Sequence, residues 1–459
     1  MAKKPKVEYI CTECGYKYPK SLGKCPQCDK WGTFVEHIET PTTPSPTNQV
    51  CLKGVSKAKT LKSVKANAIP RIVTGMEEFD RVMGGGIVVD SVTILTAPPG
   101  TGKSTLILQV AQLVADKGLK VLYASGEESE TQIKSRADRI LPSLNDNLYI
   151  VADNNFENVV SDIEKIDPNL IIIDSIGTFG VSHISSRIGS PSQMMECANI
   201  ITNIAKNKEN PKAVVMIGQM TKEDELKGPR ELEHLVDTVL HLESLDDVKK
   251  IARCSKNRFG EIETGLFEMD GDGLTEVKDA SKLFITERDE DDIVYGTALS
   301  VIREGTRPLI IEVESSVSKS FAPYPSRIAE GLKKDNLNIL ISILEQSAGI
   351  NLWDKNVYVK PTGGLKIEET SVNLSVLMSI ASSFYKKSIP NGTLFIGEVG
   401  LTGELKKVQS IDSRIKEAQR MGFKEIVMPN QPLKPDTEKL AIKITKMKHI
   451  KNTIDYLLK

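Results

Sequence analysis

Short apolar runs alternate with helical segments along residues 71–284. Within each run nearly every residue is apolar and many are β-branched, which is typical of strands buried on both faces of a parallel sheet. This order predicts an α/β fold with a mostly parallel sheet covered by helices. The runs are 92-VTILTA-97, 119-LKVLYAS-125, 148-LYIVA-152, 170-LIIID-174, 213-AVVMIG-218 and 238-TVLHLE-243.

The pattern changes near the acidic run 287-ERDEDD-292. The strands and helices beyond it predict a separate α+β domain. The predicted strands are 296–304, 307–317 and 393–399, and the predicted helices are 335–346, 371–384 and 411–422.

The residues before 67 differ from the rest in composition. The run 40-TPTTPSPTNQ-49 is rich in Pro, Thr and Ser, which is typical of extended linkers, and lysines follow it. We therefore predict a cysteine-rich module at 1–39, a flexible basic linker at 40–66, an α/β domain at 67–285 and an α+β domain at 286–459.

Length, composition and charge narrow the class of protein. The 459 residues suffice for about three domains. No apolar run approaches the ~18 residues of a membrane span, and the N-terminus lacks the apolar core of a secretory signal, so we expect a cytoplasmic protein. The formal net charge is −1, yet residues 1–66 hold 12 Lys and no Arg against 5 acidic residues. Such a basic segment suits contact with a polyanion, although a solvated tail has the same composition.

Four of the seven cysteines fall within the first 28 residues, as two Cys-x-x-Cys pairs. Each pair places two sulfur atoms on one side of a turn, and two pairs complete a tetrahedral zinc site. Because protein thiolates fill all four positions, the zinc would be structural. The predicted ligands are Cys11, Cys14, Cys25 and Cys28.

The run 92–97 leads through 98-PPGTGKST-105 into an apolar helix, as in the G-x-x-x-x-G-K-[ST] phosphate loop, except that Ala97 replaces the first Gly. Backbone amides would cradle the β-phosphate, Lys103 would reach the β- and γ-oxygens, and the Ser104 hydroxyl would hold Mg²⁺. The sequence therefore predicts ATP and Mg²⁺ as ligands. The predicted contacts are Ala97, Pro98, Pro99, Gly100, Thr101, Gly102, Lys103, Ser104, Thr105 and Asp174.

Polar side chains follow three of the predicted strands. Asp174 ends the run 170–174, where its carboxylate can reach the metal or its water. Glu127 or Glu128 could polarise the attacking water. Gln219 could hydrogen-bond the γ-phosphate and report hydrolysis to the loop behind it.

These parts, in this order, resemble the RecA-like ATPase core. The motif 256-KNRFG-260 makes the resemblance more specific. With it, the sequence resembles the RadA (Sms) family of bacterial DNA-repair proteins over essentially its whole length. The segments 71-RIVTGMEEFDRVMGGGI-87 and 228-GPRELEHLVDTVL-240 also carry the resemblance. The departures from the family pattern are Ala97, Asp90 for Gly and Gln219 for His.

The resemblance implies a function and an assembly. It implies a DNA-dependent ATPase that processes recombination intermediates in DNA repair, translocates on single-stranded DNA and promotes branch migration and heteroduplex extension. Single-stranded DNA, branched DNA and a recombinase would be its partners. Ring-forming relatives imply a homo-hexamer, in which Lys256 and Arg258 would reach a neighbour's nucleotide. Both follow the strand 249-KKIARCS-255, which we expect at the edge of the sheet.

In RecA-like rings, the loops after the runs 170–174 and 213–218 face the central channel, where DNA phosphates would lie. Both segments are polar in this chain, and the second also contains acidic residues. The predicted DNA contacts are Arg187, Lys222, Lys227 and Arg230.

The residues 363–383 and 396–429 resemble the proteolytic domain of Lon, which uses a Ser–Lys dyad. An ungapped alignment puts Ser371 at the position of the nucleophile and Asp412 at that of the Lys, and a carboxylate cannot serve as that base. We therefore predict a non-proteolytic Lon-like domain in which Ser371 is a helix N-cap. Two alternatives stay open, a Lon-type ATP-dependent peptidase and a RecA-like regulatory ATPase that does not act on DNA.

Overall fold

The chain forms two compact units, Met1–Ala68 and Ile69–Lys459. A computed structural model describes residues 6–11, 17–18, 26, 34–39, 60–63, 70–219, 231–277, 279–286, 288 and 292–459. Within these ranges, no helix combines the length and the apolar character that crossing a membrane requires.

The N-terminal unit contains a small antiparallel sheet. Its strands are β1 (Lys6–Cys11), β2 (Lys17–Tyr18) and β3 (Phe34–Glu39), in the order β2-β1-β3. Cys11 is the last residue of β1 and pairs with Phe34 of β3. The other three predicted zinc ligands, Cys14, Cys25 and Cys28, lie outside the described residues.

Nine strands form the first sheet of the second unit. They are β6 (Val92–Ala97), β7 (Val121–Ser125), β8 (Leu148–Ala152), β9 (Leu170–Asp174), β10 (Ala213–Gln219), β11 (Thr238–Ser244), β12 (Lys249–Asn257), β13 (Thr264–Asp270) and β14 (Gly273–Glu276). The order is β14-β13-β12-β11-β6-β10-β9-β7-β8, and the pairings from β11 to β8 are parallel. The predicted mostly parallel α/β sheet is confirmed. Before it, β4 (Arg71–Ile72) and β5 (Ile87–Val88) form a separate ribbon.

Successive residues of a strand point to opposite sides of the sheet, so the continuous apolar strands make both faces apolar. Helices cover both faces. The helices are α1 (Glu77–Val82), α2 (Lys103–Ala115), α3 (Glu130–Ile140), α4 (Phe156–Ile166), α5 (Pro191–Ala205) and α6 (Glu231–Leu235). On one face, Leu95 and Ile172 pack in a core with α1, α2 and α3, and on the other Ile94 and Ile171 pack with α4, α5 and α6.

A seven-stranded mixed sheet with flanking helices forms the C-terminal region, residues 292–459. The strands are β15 (Thr297–Glu304), β16 (Arg307–Lys319), β17 (Arg327–Ala329), β18 (Lys355–Pro361), β19 (Thr393–Phe395), β20 (Glu398–Val399), β21 (Leu405–Lys406), β22 (Glu425–Pro429) and β23 (Lys443–Met447). The main sheet has the order β17-β18-β16-β15-β19-β22-β23, while β20 and β21 pair separately. The helices are α7 (Lys334–Ala348), α8 (Asn373–Tyr385), α9 (Ile411–Arg420), α10 (Pro435–Glu438) and α11 (Ile450–Leu458).

The prediction of one strand over residues 393–399 is wrong, because β19 and β20 are separate. Between them, Gly397 bonds to the start of α8 instead of to a strand. Its amide donates to the Ser371 carbonyl at 2.7 Å, and its carbonyl accepts from the Leu374 amide at 3.0 Å.

The C-terminal region shares buried contacts with the nine-stranded sheet. Phe284, Ile251 and Leu266 are fully buried in the core of the C-terminal region. Arg307 of β16 donates to both carboxylate oxygens of the buried Glu78 in α1, at 2.9 and 2.8 Å. An apolar core and a buried ion pair therefore fix the two parts to each other.

Candidate nucleotide-binding site

The loop between β6 and α2 lies at the carboxyl edge of the parallel sheet. Gly100 and Gly102 have φ angles of 80° and 102°, the left-handed region that favours glycine. The Thr101 hydroxyl donates a 2.8 Å hydrogen bond to the Pro98 carbonyl and closes the loop. Gly102 is the N-cap of α2 and has no capping side chain, so the first backbone amides of the helix are left for an external acceptor.

Ala97 replaces the first glycine of the motif without backbone strain. It is the last residue of β6, it pairs in register with Gln219 of β10, and its methyl group is buried. Among the described residues, those of this loop with positive φ are Gly100 and Gly102. The loop therefore does not need a glycine at position 97, because its left-handed residues are Gly100 and Gly102.

The Lys103 side chain folds back over the loop. Its Nζ donates hydrogen bonds to the carbonyl oxygens of Ala97, at 3.0 Å, and Pro98, at 3.3 Å. Burial lowers the pKa of Lys103, and the negative charges of Asp174 and Glu127 oppose that change. The ammonium group thus interacts electrostatically with both of these acids.

Asp174 ends β9 and is only 7% exposed. Its carboxylate accepts hydrogen bonds from the hydroxyls of Tyr123 and Ser104. Burial raises the pKa of Asp174, and both hydrogen bonds lower it. Tyr123 was not predicted as a site residue, because a Tyr within an apolar run gives no sign of its polar partner.

The two glutamates that follow β7, Glu127 and Glu128, have different partners. Glu128 forms an ion pair with Arg136 of α3, whose positive charge balances that of the Glu128 carboxylate. Glu127 accepts a 2.7 Å hydrogen bond from the hydroxyl of Ser175, the residue after Asp174. Of the two, Glu127 therefore lies beside the Asp174 end of β9, and the position of Glu128 is explained by a structural ion pair.

Gln219 is the last residue of β10, between the ends of β6 and β9. Its backbone position therefore places it at the same edge of the sheet as the phosphate loop and Asp174. Its side chain lies outside the described residues.

The glycine run 84–86 and the KNRFG segment pack together, although they are far apart in the chain. Arg71 donates hydrogen bonds to the carbonyls of Phe259, 188 residues away, at 2.7 Å and of Gly86 at 3.0 Å. A Cβ on Gly84 would lie 3.5 Å from the Cα of Gly260. Two of the segments that carry the family resemblance, 71–87 and 256–260, thus contact each other just beyond the end of β12.

Lys256 and Arg258 bind groups at the other end of β6. Lys256 Nζ donates to the carbonyls of Glu233 and Val236 at the end of α6, at 2.5 and 2.8 Å. Arg258 donates to Asp237 at 3.1 Å, and the same carboxylate accepts from the amide of Val92, the first residue of β6. Burial lowers the pKa of Lys256, and the nearby Arg258 adds to that change.

The length of β6 separates these cations from the phosphate loop of their own chain. The strand runs from Val92 to Ala97, so its ends lie about 17 Å apart at about 3.3 Å per residue. An arginine side chain is much shorter than this distance. Lys256 and Arg258 therefore cannot reach the nucleotide of their own subunit in this arrangement.

The prediction that the strand before Lys256 lies at the sheet edge is wrong. Both β13 and β14 lie beyond β12 in the sheet. They form an antiparallel hairpin over residues 264–276, which the sequence pattern did not predict. Glycines and acidic residues interrupt the apolar character of this segment and hide its strands.

The candidate DNA contacts are only partly within the described residues. Arg187 is exposed, in the segment between β9 and α5. The other three candidates, Lys222, Lys227 and Arg230, lie outside the described residues.

The prediction that Ser371 is a helix N-cap is wrong. The N-cap of α8 is Val372, and Ser371 lies in the preceding 3₁₀ turn, only 3% exposed. Its hydroxyl accepts a 3.2 Å hydrogen bond from the buried guanidinium of Arg414, which also pairs with Glu369. Asp412 accepts a hydrogen bond from the backbone amide of Lys434. A guanidinium stays protonated and cannot act as the base of a Ser–Lys dyad.

Relatives at about 40% identity match the chain from end to end. The chain is 39% identical to the DNA repair protein RadA of Bacillus subtilis, over 96% of each chain. It is 38% identical to that of Halalkalibacterium halodurans, over the full length of both. It is 41% identical to that of Streptococcus pyogenes serotype M3, over 94% of each. The chain belongs to the RadA family.

Three family models match successive parts of the chain. A rubredoxin metal-binding domain matches residues 9–36, an AAA domain matches 61–225 and the subunit ChlI of Mg-chelatase matches 336–432. The first match spans all four predicted zinc ligands, and the second spans the phosphate loop. Membership of the RadA family and the AAA match confirm the prediction that the chain is an ATPase.

Proposed function

We propose that the chain is a DNA-dependent ATPase that processes recombination intermediates in DNA repair. In this proposal it translocates on single-stranded DNA and promotes branch migration and heteroduplex extension. The observation that carries the proposal is the site at one edge of the sheet, where Lys103, Asp174 and Glu127 lie close together in a chain that resembles DNA repair proteins over its whole length.

Each side chain of this edge has a proposed role. The backbone amides of residues 100–104 and the Lys103 ammonium bind the phosphates of ATP, and they stabilise the charge of the transition state. Glu127 orients the attacking water, because its carboxylate follows β7 next to the Asp174 end of β9. Gln219, at the end of β10, bonds the γ-phosphate and passes the state of the nucleotide to the segment 220–230.

The same edge suits Mg²⁺. Ser104 and Asp174 present a hydroxyl and a carboxylate to each other, and such oxygen ligands are those that Mg²⁺ prefers. We propose that these two residues hold the ion, which when bound neutralises charge on the phosphates.

We propose that the N-terminal module, residues 1–39, binds zinc through Cys11, Cys14, Cys25 and Cys28. Four thiolates in two Cys-x-x-Cys pairs are a donor set typical of structural zinc. Metal analysis of protein purified under reducing conditions without chelator is expected to give one zinc per chain. Mutation of Cys25 and Cys28 to Ser should remove it, whereas mutation of the isolated Cys51 should not. Zinc-free wild-type protein would contradict the proposal.

The proposed assembly is a homo-hexameric ring around DNA. The segment with Arg187 and the segment with Lys222, Lys227 and Arg230 follow β9 and β10 at the carboxyl edge of the sheet, and we propose that they contact DNA phosphates in the channel. Single-stranded and branched DNA are the proposed substrates, and a recombinase is a proposed partner.

The proposed domains keep the predicted boundaries: a zinc module at 1–39, a basic linker at 40–66, the ATPase domain at 67–285 and a Lon-like, non-proteolytic domain at 286–459. The contact of Ser371 with Arg414 supports the absence of proteolysis from the last domain, because Ser371 is buried against a group that cannot deprotonate it. A Lon-type peptidase and a regulatory ATPase without DNA are not favoured.

The rate of ATP hydrolysis with and without DNA tests the proposed function. We expect single-stranded and branched DNA to stimulate hydrolysis by the full-length chain. A casein-degradation assay with ATP should show no cleavage. Hydrolysis that is indifferent to every DNA structure would contradict the DNA-dependent motor, and cleavage of casein would favour the peptidase.

A further inference from the structure

A cavity of about 780 Å³ opens beside the phosphate loop. Residues 98–101 of the loop and the turn between β11 and β12 form part of its lining. Gly364 and Lys366 of the C-terminal region form another part. The volume lies within the range of sites for cofactor-sized ligands. The C-terminal region therefore bounds part of the space next to the phosphate loop.

Two glycines let a loop of the C-terminal region approach the nine-stranded sheet. Gly364 has a φ of 73°, and a Cβ there would lie 2.6 Å from the carbonyl oxygen of Leu245 in the β11–β12 turn. Gly363 has a φ of 79°, and a Cβ there would lie 2.7 Å from the ring of Phe284. Only glycine combines this backbone conformation with such close contacts.

The loop holds Lys366 at a defined place. Its neighbours Leu365 and Ile367 are buried in the core of the C-terminal region, whereas Lys366 itself is exposed. The backbone is thus anchored on both sides of Lys366, and Lys366 forms part of the lining of the cavity.

Three Lys or Arg side chains line the cavity, and two of them are engaged. Lys250 donates to two backbone carbonyls of the β11–β12 turn, at 3.0 and 2.9 Å. Arg253 forms ion pairs with Glu304 and Glu243. Lys366 forms neither a hydrogen bond nor an ion pair with the residues that the structure describes. Of the three, Lys366 is therefore the cation that is available to a ligand.

Three acidic side chains also line the cavity, and two of them are paired, Glu243 with Arg253 and Asp246 with Lys249. The negative charge of Asp247 would repel a chain of phosphates, and a cation at Lys366 offsets that repulsion. We propose that Lys366 binds the phosphate chain of the nucleotide held by the phosphate loop, so that the C-terminal region supplies part of the ATP site. The inference rests on the proposed function, since it takes the phosphate loop as the site of ATP.

Titration of the full-length protein with N-methylanthraniloyl derivatives of ATP and of adenosine tests this inference. The variants are K366A, K366R and, as a matched control, K439A, which removes an exposed lysine of the same region that does not line the cavity. K366A is expected to weaken binding of the ATP probe about tenfold, the effect of losing one charge-assisted hydrogen bond. K366R should restore most of the affinity, and K439A should bind as the wild type does. Binding of the adenosine probe should be the same in all four proteins.

The outcomes separate the inference from the proposed function. A wild type that does not bind the ATP probe would contradict the ATP site itself. If the wild type binds and K366A binds equally well, the role of Lys366 is refuted while the ATP site stands. An equal loss of affinity for both probes would also refute it, because the effect would then come from the shape of the cavity. Thermal unfolding at the wild-type temperature shows that K366A is folded. If it is not, K366Q provides the test, because glutamine keeps a long side chain and removes the charge.

Discussion

Lys103→Ala is expected to reduce ATP hydrolysis at least about 10²- to 10³-fold, because it removes a cation from the developing charge on the phosphates. The substitution should leave the fold intact. The Lys103 ammonium bonds only to the carbonyls of Ala97 and Pro98 among the described residues, and both carbonyls belong to the phosphate loop itself. The apolar core of the sheet loses no contact.

Steady-state hydrolysis with and without single-stranded DNA measures this effect. Lys134→Ala is a matched control, since Lys134 lies on the neighbouring helix α3 and forms an exposed ion pair with Asp138. Such a pair contributes about 0.5 kcal/mol or less to stability, so the control should hydrolyse ATP and unfold as the wild type does. If Lys103→Ala hydrolysed ATP near the wild-type rate, the site would have to lie elsewhere in the chain.

The parts of the site that the sequence predicted are those with local signals. Continuous apolar runs predicted the parallel strands. The glycines of the phosphate-loop motif, Gly100 and Gly102, are the residues with positive φ angles in the loop. The placement of Asp174 at the carboxyl edge of the sheet could be predicted because it ends a buried apolar run. In each case neighbouring residues in the chain determine the structure.

The parts that were missed depend on residues that are distant in sequence. Tyr123 binds Asp174 across 51 residues, and Arg71 binds Phe259 across 188. Ser371 is not the N-cap because α8 begins two residues later, at Asn373, and the Ser371 hydroxyl instead accepts from Arg414, 43 residues further along the chain. Propensity and spacing carry no information on such partners, which only the packed fold brings together.

Lys256 and Arg258 lie at the end of β6 opposite the phosphate loop, and this position predicts that they act on a neighbouring subunit. A cation supplied in trans typically contributes about 10³-fold to phosphoryl transfer. Arg258→Ala is the better variant, because Lys256 also binds the backbone at the end of α6. Without Arg258, the buried Asp237 keeps its contacts with Lys206 and the amide of Val92. The Arg258→Ala protein should therefore fold and bind nucleotide, yet hydrolyse ATP about 10³-fold more slowly.

Mixing the Arg258→Ala and Lys103→Ala proteins tests the action in trans. Each protein alone should be inactive. In a mixed ring, some interfaces pair the intact phosphate loop of an Arg258→Ala subunit with the intact Arg258 of a Lys103→Ala subunit. With random assembly at equal amounts, roughly a quarter of the head-to-tail interfaces are of this kind, so activity should return towards that fraction of the wild-type rate. A mixture that stays inactive, while co-assembly is shown by differently tagged subunits, would mean that Arg258 acts within its own subunit. That result would require Arg258 to move the length of β6 relative to the phosphate loop, which the buried contacts of Asp237 oppose.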